Sequence, residues 1–350
     1  MTTPRATLPQ VAERAGVSLA SASRALHGTG ASAAMVEKVR TAAAELGYQP
    51  HATGRSLRLR RTFHIAFAVA DIGNPVYVEM MTAIQSVVAE HGYRLVVATT
   101  GATPQSTVEL VRSVSAGLVD GLVISPLRLS DALVEELTHS QVPVVVIGRS
   151  LETAKLDSVS TDSAGGIGQA VEHILSLGRR RIGFLNGPLD TTPGDARQRG
   201  FDTAVARDGF AGESVDTEVA EDFTVTAGLA AATRLLARHG NGRQLDAVVA
   251  ANDLLAIGAI RAAREHGLRV PEDLAVTGMD DTEIGRVYQP SLTSVSLRSS
   301  ERGRRAAEII LDLLDGPEHQ TQNVLVEPVL VARESTSAGH PAGHAEEGTA

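Results

Sequence analysis

The residues with the greatest chemical potential in this 350-residue chain fall just after runs of β-forming residues. Asp71, Asn74 and Tyr77 follow HIAFAVA (64–70), Arg149 follows PVVVIG (143–148), and Arg197 comes after RIGFLNG (181–187). Asn252 and Asp253 follow DAVVAA (246–251), Asp280 and Asp281 follow LAVTGM (274–279), and Phe223 stands between two such runs. Carboxylate, amide and guanidinium groups each engage two adjacent hydroxyls, and an aromatic ring covers the C–H face of a pyranose, so the set fits a polyol. Arg149 with Arg197 also fits a phosphate or carboxylate. Helix capping explains Asp162, Asp253 and Asp281 equally well; what carries the reading is that so many polar groups converge at strand ends. A second set lies near the start: Leu19, Ala20, Ser21, Ser23 and Arg24. A guanidinium matches guanine O6 and N7, small apolar side chains meet a thymine methyl, and serines suit a base edge or a phosphate.

Three short helices must present that second set. Thr7 and Gln10 have capping-box spacing for a helix over about 8–15, which Gly16 breaks. Ser18 caps a second over about 19–26, and Ser32 opens a third closed by Gly47. Val11, Ala12, Ala15, Val17, Ala22 and Leu26 form the expected core of this helix-turn-helix, leaving the second helix free for a major groove. From residue 62 eight strand-like runs alternate with amphipathic stretches near 77–91, 104–117, 130–139, 164–177, 197–209, 225–239 and 252–266. This pattern predicts doubly wound parallel sheets. About 270 residues is generous for one sheet, so two lobes are expected, with a ligand cleft where the strand C-termini meet. Residues 301–315 read as an amphipathic helix returning to the first lobe.

Charge is partitioned along the chain. Residues 1–61 hold nine Lys/Arg against three acids, +6, while the other 289 residues carry 23 basic and 38 acidic groups, −15. A small basic module suited to polyphosphate is joined to an acidic body. Zero cysteines exclude disulfides, thiol catalysis and Cys-ligated zinc. No secretory signal pattern opens the chain and no run is long enough to span a bilayer, so the expectation is a cytoplasmic, nucleoid-associated protein with no membrane contact. Enzyme chemistry finds no motif: DSAGGIGQA (162–170) is not G-x-G-x-x-G, and there is no P-loop, G-x-S-x-G or H-E-x-x-H. The histidines lack metal-ligand spacing, so neither metal nor cofactor is expected.

TLPQVAERAGVSLASASRALHG (7–28) and VRTAAAELGYQPHATGRSLRLRRT (39–62) resemble the headpiece of the lac repressor (LacI/GalR) family. The resemblance continues through NPVYVEM, VDGLVISP, VSTDSAGGIGQAVEHILSLGRRRIGFLNGP, ARQRGF, AANDLLAIGAIRAAREHGLRVPEDLAVTGMDD and PSLTSVS to about residue 336. It implies an N-terminal all-α helix-turn-helix headpiece (1–50), a hinge helix and linker (51–61) and a periplasmic-binding-protein-like α/β core (62–336). The first lobe is expected over about 62–161 plus 291–323, the second over 162–290 plus 324–336, with a disordered tail at 337–350. It also implies a homodimer on a pseudo-palindromic operator in double-stranded DNA, controlled by a small-molecule effector, with repression as the expected sense and a sugar as the expected effector. The DNA set becomes Thr7, Ser18, Leu19, Ala20, Ser21, Ser23, Arg24, His51 and Leu57, with Leu57 wedged from the minor groove. In the core the resemblance sets Arg197 and Asp280 across the effector with Asn252 nearby, Tyr77 and Phe223 as aromatic faces, Asp71 and Asn74 on the first-lobe side, and Arg149 at a strand end. Gln10, Ser21-Ala22, His27 and Gly54 depart from the family's usual Asp, Thr-Val, Asn and Ala. Val76 and Thr191 disfavour a purine; neutral and acidic saccharides both fit. The tail lacks a leucine heptad, which favours a dimer over a coiled-coil tetramer.

Overall fold

The computed structural model describes residues 6–27, 30–48, 61–101, 103–207, 215–316 and 319–337, with the His27 side chain left aside. The chain divides into two compact units, Met1–Phe63 and His64–Ala350.

The first unit is a three-helix bundle of α1 (Leu8–Ala15), α2 (Leu19–His27) and α3 (Ala33–Glu45). Its ends are held as their residue types dictate. Gln10 Oε1 accepts from Thr7 N at 2.8 Å, Ser18 Oγ from Ser21 N at 3.1 Å and Ser32 Oγ from Met35 N at 3.4 Å. Gly16, at φ +62°, turns the chain from α1 toward α2. The buried centre is Val11, Ala12, Ala15, Ala22, Ala25, Val39, Ala42 and Ala43, with Val17 and Leu26 half-buried against it. Such small residues let the three helices approach closely.

The second unit holds two six-stranded sheets. The first lobe builds β1 (His64–Val69), α4 (Pro75–Glu90), β2 (Arg94–Thr99), α5 (Pro104–Ser115), β3 (Gly121–Ser125), α6 (Asp131–Thr138), β4 (Val144–Gly148) and β5 (Asp157–Thr161). The second lobe follows with α7 (Ser163–Ser176), β6 (Ile182–Asn186), α8 (Thr192–Arg207), β7 (Val215–Val219), α9 (Val225–Arg238), β8 (Ala247–Ala250), α10 (Asp253–Glu265), β9 (Ala275–Met279), α11 (Glu283–Val287) and β10 (Thr293–Ser296). The chain then supplies α12 (Ser299–Asp315), β11 (Asn323–Val326) and β12 (Val329–Val331). Strand orders are β11-β5-β4-β3-β1-β2 and β12-β10-β9-β8-β6-β7. All pairings are parallel except β12 on β10. Both sheets therefore share a 2-1-3-4-5 order, whose ligand crevice lies at the C-terminal ends of the first and third strands. Strands such as β3 and β9 are buried along their whole length, as expected where helices cover both faces.

The expected lobe boundaries need correction. Residues 291–323 were expected in the first lobe, yet β10 belongs to the second sheet, pairing Thr293 with Thr277 of β9. Residues 324–336 were expected in the second, yet β11 joins the first sheet, pairing Val324 with Val159 of β5. The chain thus crosses at about 162, 297–298 and 327–328. TSVS and NVLV are too short for a periodic signal, and their place is decided by which sheet edge each extends. Likewise β7 and α11 carry no pattern that sequence alone reveals, and α8 starts at Thr192, five residues before the expected helix. The hinge helix, with His51 and Leu57, and the tail beyond residue 337 lie outside the described residues. Among the described residues no helix is long and apolar enough to cross a membrane.

Candidate functional site

In the first unit the α2 side chains divide by face. Ala22 and Ala25 point into the core, while Leu19, at 51% exposure, lies outside with Ala20 and Arg24. Thr7 and Ser18 are exposed at the starts of α1 and α2. Ser18 Oγ donates to Ser21 Oγ at 2.9 Å, and Arg24 Nη2 reaches Ser21 Oγ at 3.5 Å. Ser21 and Ser23 are half-buried. One helix face therefore offers an apolar patch beside a guanidinium and hydroxyls, the combination a major groove reads.

In the second unit both switch points open onto one cavity of about 500 Å³, a size suited to a small-molecule ligand. The first lobe contributes Asn74 and Tyr77 after β1, Ser125 at the end of β3 and Arg149 after β4. The second contributes Arg197 from α8, Phe223 before α9, Asn252 after β8 and Asp280 after β9. The lobes are tied across the mouth: Arg128 forks onto Asp190 through Nε–Oδ2 (2.7 Å) and Nη2–Oδ1 (3.2 Å), and Thr192 N donates to Leu127 O at 2.9 Å.

Arg197 and Asp280 are each 6% exposed, with Nη2 and Oδ1 3.6 Å apart. Burial lowers the arginine's pKa and Asp280 pulls it back up; burial raises that of Asp280 and the guanidiniums of Arg197 and Arg302 lower it. Arg197 Nε is buried and has no hydrogen-bond partner. Its Cζ lies 5.8 Å from the centroid of the Phe223 ring. That ring sits where a Cβ on residue 187 would fall, 2.3 Å from Phe223 Cε1, so Gly187 is what admits it. Asp280 and Asp281 have φ of +109° and +55°, a backbone strain that collects at binding sites. Tyr77 is pushed up to about 12 by burial and then by Asp280, against a side-chain hydrogen bond with Ser125. Its hydroxyl is thus neutral, able to donate as well as accept.

Seven of the eight expected cavity residues line this space: Asn74, Tyr77, Arg149, Arg197, Phe223, Asn252 and Asp280. Two of them also hold the scaffold. Asn74 Oδ1 accepts from Val76 N at 3.2 Å to cap α4; Asn252 Oδ1 accepts from Leu255 N at 2.8 Å, and its Nδ2 donates to Phe223 O at 3.3 Å. Asp71 is not on the wall. It is exposed, and its Oδ1 accepts from Gly73 N at 2.8 Å in a local turn. Of the other acids only Asp162 is a helix cap, its Oδ1 accepting from Gly165 N at 2.8 Å; Asp253 instead accepts from Thr282 and Ser294 of neighbouring segments, and Asp281 holds Arg286 and Arg333. One wall residue escapes a strand-end search altogether. Arg302, 4% exposed in the first turn of α12, reaches the cavity from the first lobe. Its signal is phase: it lies four residues before Ala306, on the helix's apolar stripe. Among the described residues no cluster of three His, Asp or Glu is placed to hold a metal ion.

Comparison with known proteins covers both units. Residues 7–51 match bacterial regulatory proteins of the lacI family, and residues 171–336 match the periplasmic binding protein-like domain. The HTH-type transcriptional regulator CelR of Thermobifida fusca is 34% identical over 340 residues, 95% of this chain and 98% of that protein. A solved CelR–cellobiose complex aligns at 32% identity with a TM-score of 0.69, covering 95% of this chain and all of that one. The lac repressor dimer bound to operator and the anti-inducer ONPF aligns at 28% identity with a TM-score of 0.84, over 96% of this chain and all of its own. With a relative 34% identical over nearly the whole of both chains, and with the helix-turn-helix and the two-lobed core both matched, the chain belongs to the lacI family of bacterial regulatory proteins.

Proposed function

We propose that the protein is a transcriptional repressor that binds a pseudo-palindromic operator as a homodimer and is controlled by a small saccharide-like effector in the cleft of its second unit. The observation that carries this is the pairing, in one chain, of an exposed Leu19–Ala20–Arg24 face with a cleft lined by Arg197, Asp280, Phe223 and Tyr77. The relatives support each half, since one solved relative is held on an operator and another holds cellobiose. The headpiece of residues 1–50 reads DNA, residues 51–61 form the hinge, and the core from residue 62 binds effector and pairs the subunits. Exposed apolar residues on the edge strand β2, Val96 at 43% and Val97 at 38%, support pairing through the first lobe. Effector would bias the closed cleft and so the hinge, with a coupling no larger than its differential affinity, typically about 1–3 kcal/mol.

The test is a gel shift on palindromes flanking the protein's own gene, repeated with a panel of sugars. The expected result is a shift that at least one sugar changes. DNA binding that survives removal of residues 1–60 would overturn the reading. Arg197→Ala is expected to abolish the sugar response; loss of operator binding in the absence of any sugar would instead place Arg197 in the scaffold.

A further inference from the structure

A neutral polyol accounts for most of the cavity but not for Arg302. A guanidinium offers five N–H donors. Here Nη2 donates to Ser299 Oγ, on the same helix, at 3.1 Å, and Nε has no hydrogen-bond partner. Among the described residues no carboxylate lies within ion-pair distance of Arg302. The side chain thus bonds to its own helix alone, and its guanidinium lines the cavity without a carboxylate partner.

The buried charges around it do not balance. Arg197 and Arg302 bring two cations, and Asp280, 3.6 Å from Arg197, brings one anion. The remaining charges on the wall cancel or face solvent: Arg199 pairs with Asp195, while Arg149 and Asp162 are exposed. Glu79 is half-buried and lies 3.7 Å from Arg286. Asp253 is fully buried, but Thr282 and Ser294 occupy its oxygens, and burial favours its neutral form. Burial also depresses Arg302 to about 10, with the charge of Arg197 acting in the same direction and Asp280 against it. A neutral ligand closing over this site would seal in an unpaired cation, which is unfavourable away from water. An anionic group meets the need directly, because a guanidinium fork matches two oxygens of a carboxylate or phosphoryl.

We propose that the effector of this cleft carries an anionic group, a carboxylate or a phosphoryl, at the end that meets Arg302. The proposal rests on the reading of the cleft as an effector site and narrows its chemistry to an acidic saccharide or a similar polar acid.

The test measures ligand affinity for the full chain by melting-temperature shift and calorimetry at constant ionic strength. Its arms are matched sets: glucose, glucuronate and glucose 6-phosphate; cellobiose and cellobionate; and inorganic phosphate alone. At least one acidic member is expected to bind at least about tenfold more tightly than its neutral partner. The uronate and aldonate arms against the phosphate arms separate carboxylate from phosphoryl. Arg302→Met is expected to bring that ratio near one, and Arg302→Lys to retain part of it. The wild-type ratio alone decides the matter should a variant fail to fold. Neutral members binding as tightly as their acids, an acid preference that persists in Arg302→Met, or no stabilisation by any anion of the panel would each overturn the proposal. Failure of the underlying regulatory reading looks different: the acid binds with the expected preference, yet operator binding does not respond to it.

Discussion

Asp253 is fully buried behind the cavity, where Ser294 Oγ donates to Oδ1 at 2.5 Å and Thr282 N and Oγ1 donate to Oδ2 at 2.7 and 2.8 Å. Burial, and then the charge of Asp280, push its carboxyl up to about 7 against those hydrogen bonds. The folded chain thus holds a proton that the unfolded chain has released. The associated stability is fully present below about pH 4 and is lost as pH rises toward about 7. Asp253→Asn is neutral throughout and escapes that loss, although its amide nitrogen cannot accept one set of these hydrogen bonds. The variant is expected to be less stable than wild type near about pH 5 and to gain on it by on the order of a few kcal/mol by about pH 8. Melts across that range check this, and a difference independent of pH would mean the carboxylate stays ionised in the fold. Residues of this kind mark the limit of strand-end reading. Asp253, Asp280 and Asp281 all follow strand ends, yet only Asp280 lines the cavity: Asp253 opens a regular helix, while the positive-φ backbone at Asp280 and Asp281 aims those two side chains differently. Arg302 was hidden for the opposite reason, standing in a run (ERGRR) that reads as a solvated helix start.

Long elements were legible because burial imprints a period on them; short ones at sheet edges were not. The strands β1, β3, β4 and β9 are continuous apolar runs, and the capped amphipathic stretches became α4 to α10. β7 reads VDTEV because only part of it is covered, and β10 to β12 are three or four residues each. The packing of α12 on α4 was equally silent, though a glycine marks it. A Cβ on residue 303 would fall 2.6 Å from Met80 O and 3.0 Å from Met80 Cα. Backbone cannot yield as a flexible side chain can, so Gly303→Ala must part the two helices. The general gain in helix propensity from glycine to alanine, about 1 kcal/mol, opposes this. Overpacking of about 1–3 kcal/mol wins at contacts this close. The variant is expected to melt below wild type, and since α12 also carries Arg302, to bind effector more weakly. A melting temperature raised by the substitution would show that the helix pair has room to spare.

At the scale of the whole chain, the two functions sit in units of opposite charge, +6 in residues 1–61 and −15 in the remainder. Only a basic surface can release counterions from a duplex, so operator affinity must depend on salt through the first unit. The cleft is different: Arg197, Arg302 and Asp280 are shielded from solvent ions, and buried charges are screened far less than exposed ones. Between about 50 and 200 mM salt, operator affinity is expected to fall by roughly a thousandfold. Effector affinity is expected to change by less than about threefold over the same range. A chain beginning at His64 keeps both sheets and the complete cavity wall. It is expected to melt cooperatively and bind effector as the full chain does, with no operator binding at any salt concentration. Filter binding and calorimetry on the two chains measure all of these quantities. Parallel salt slopes for operator and effector would place the effector on the exposed surface rather than in the cleft. Operator binding by the shortened chain would remove the basic headpiece from its role.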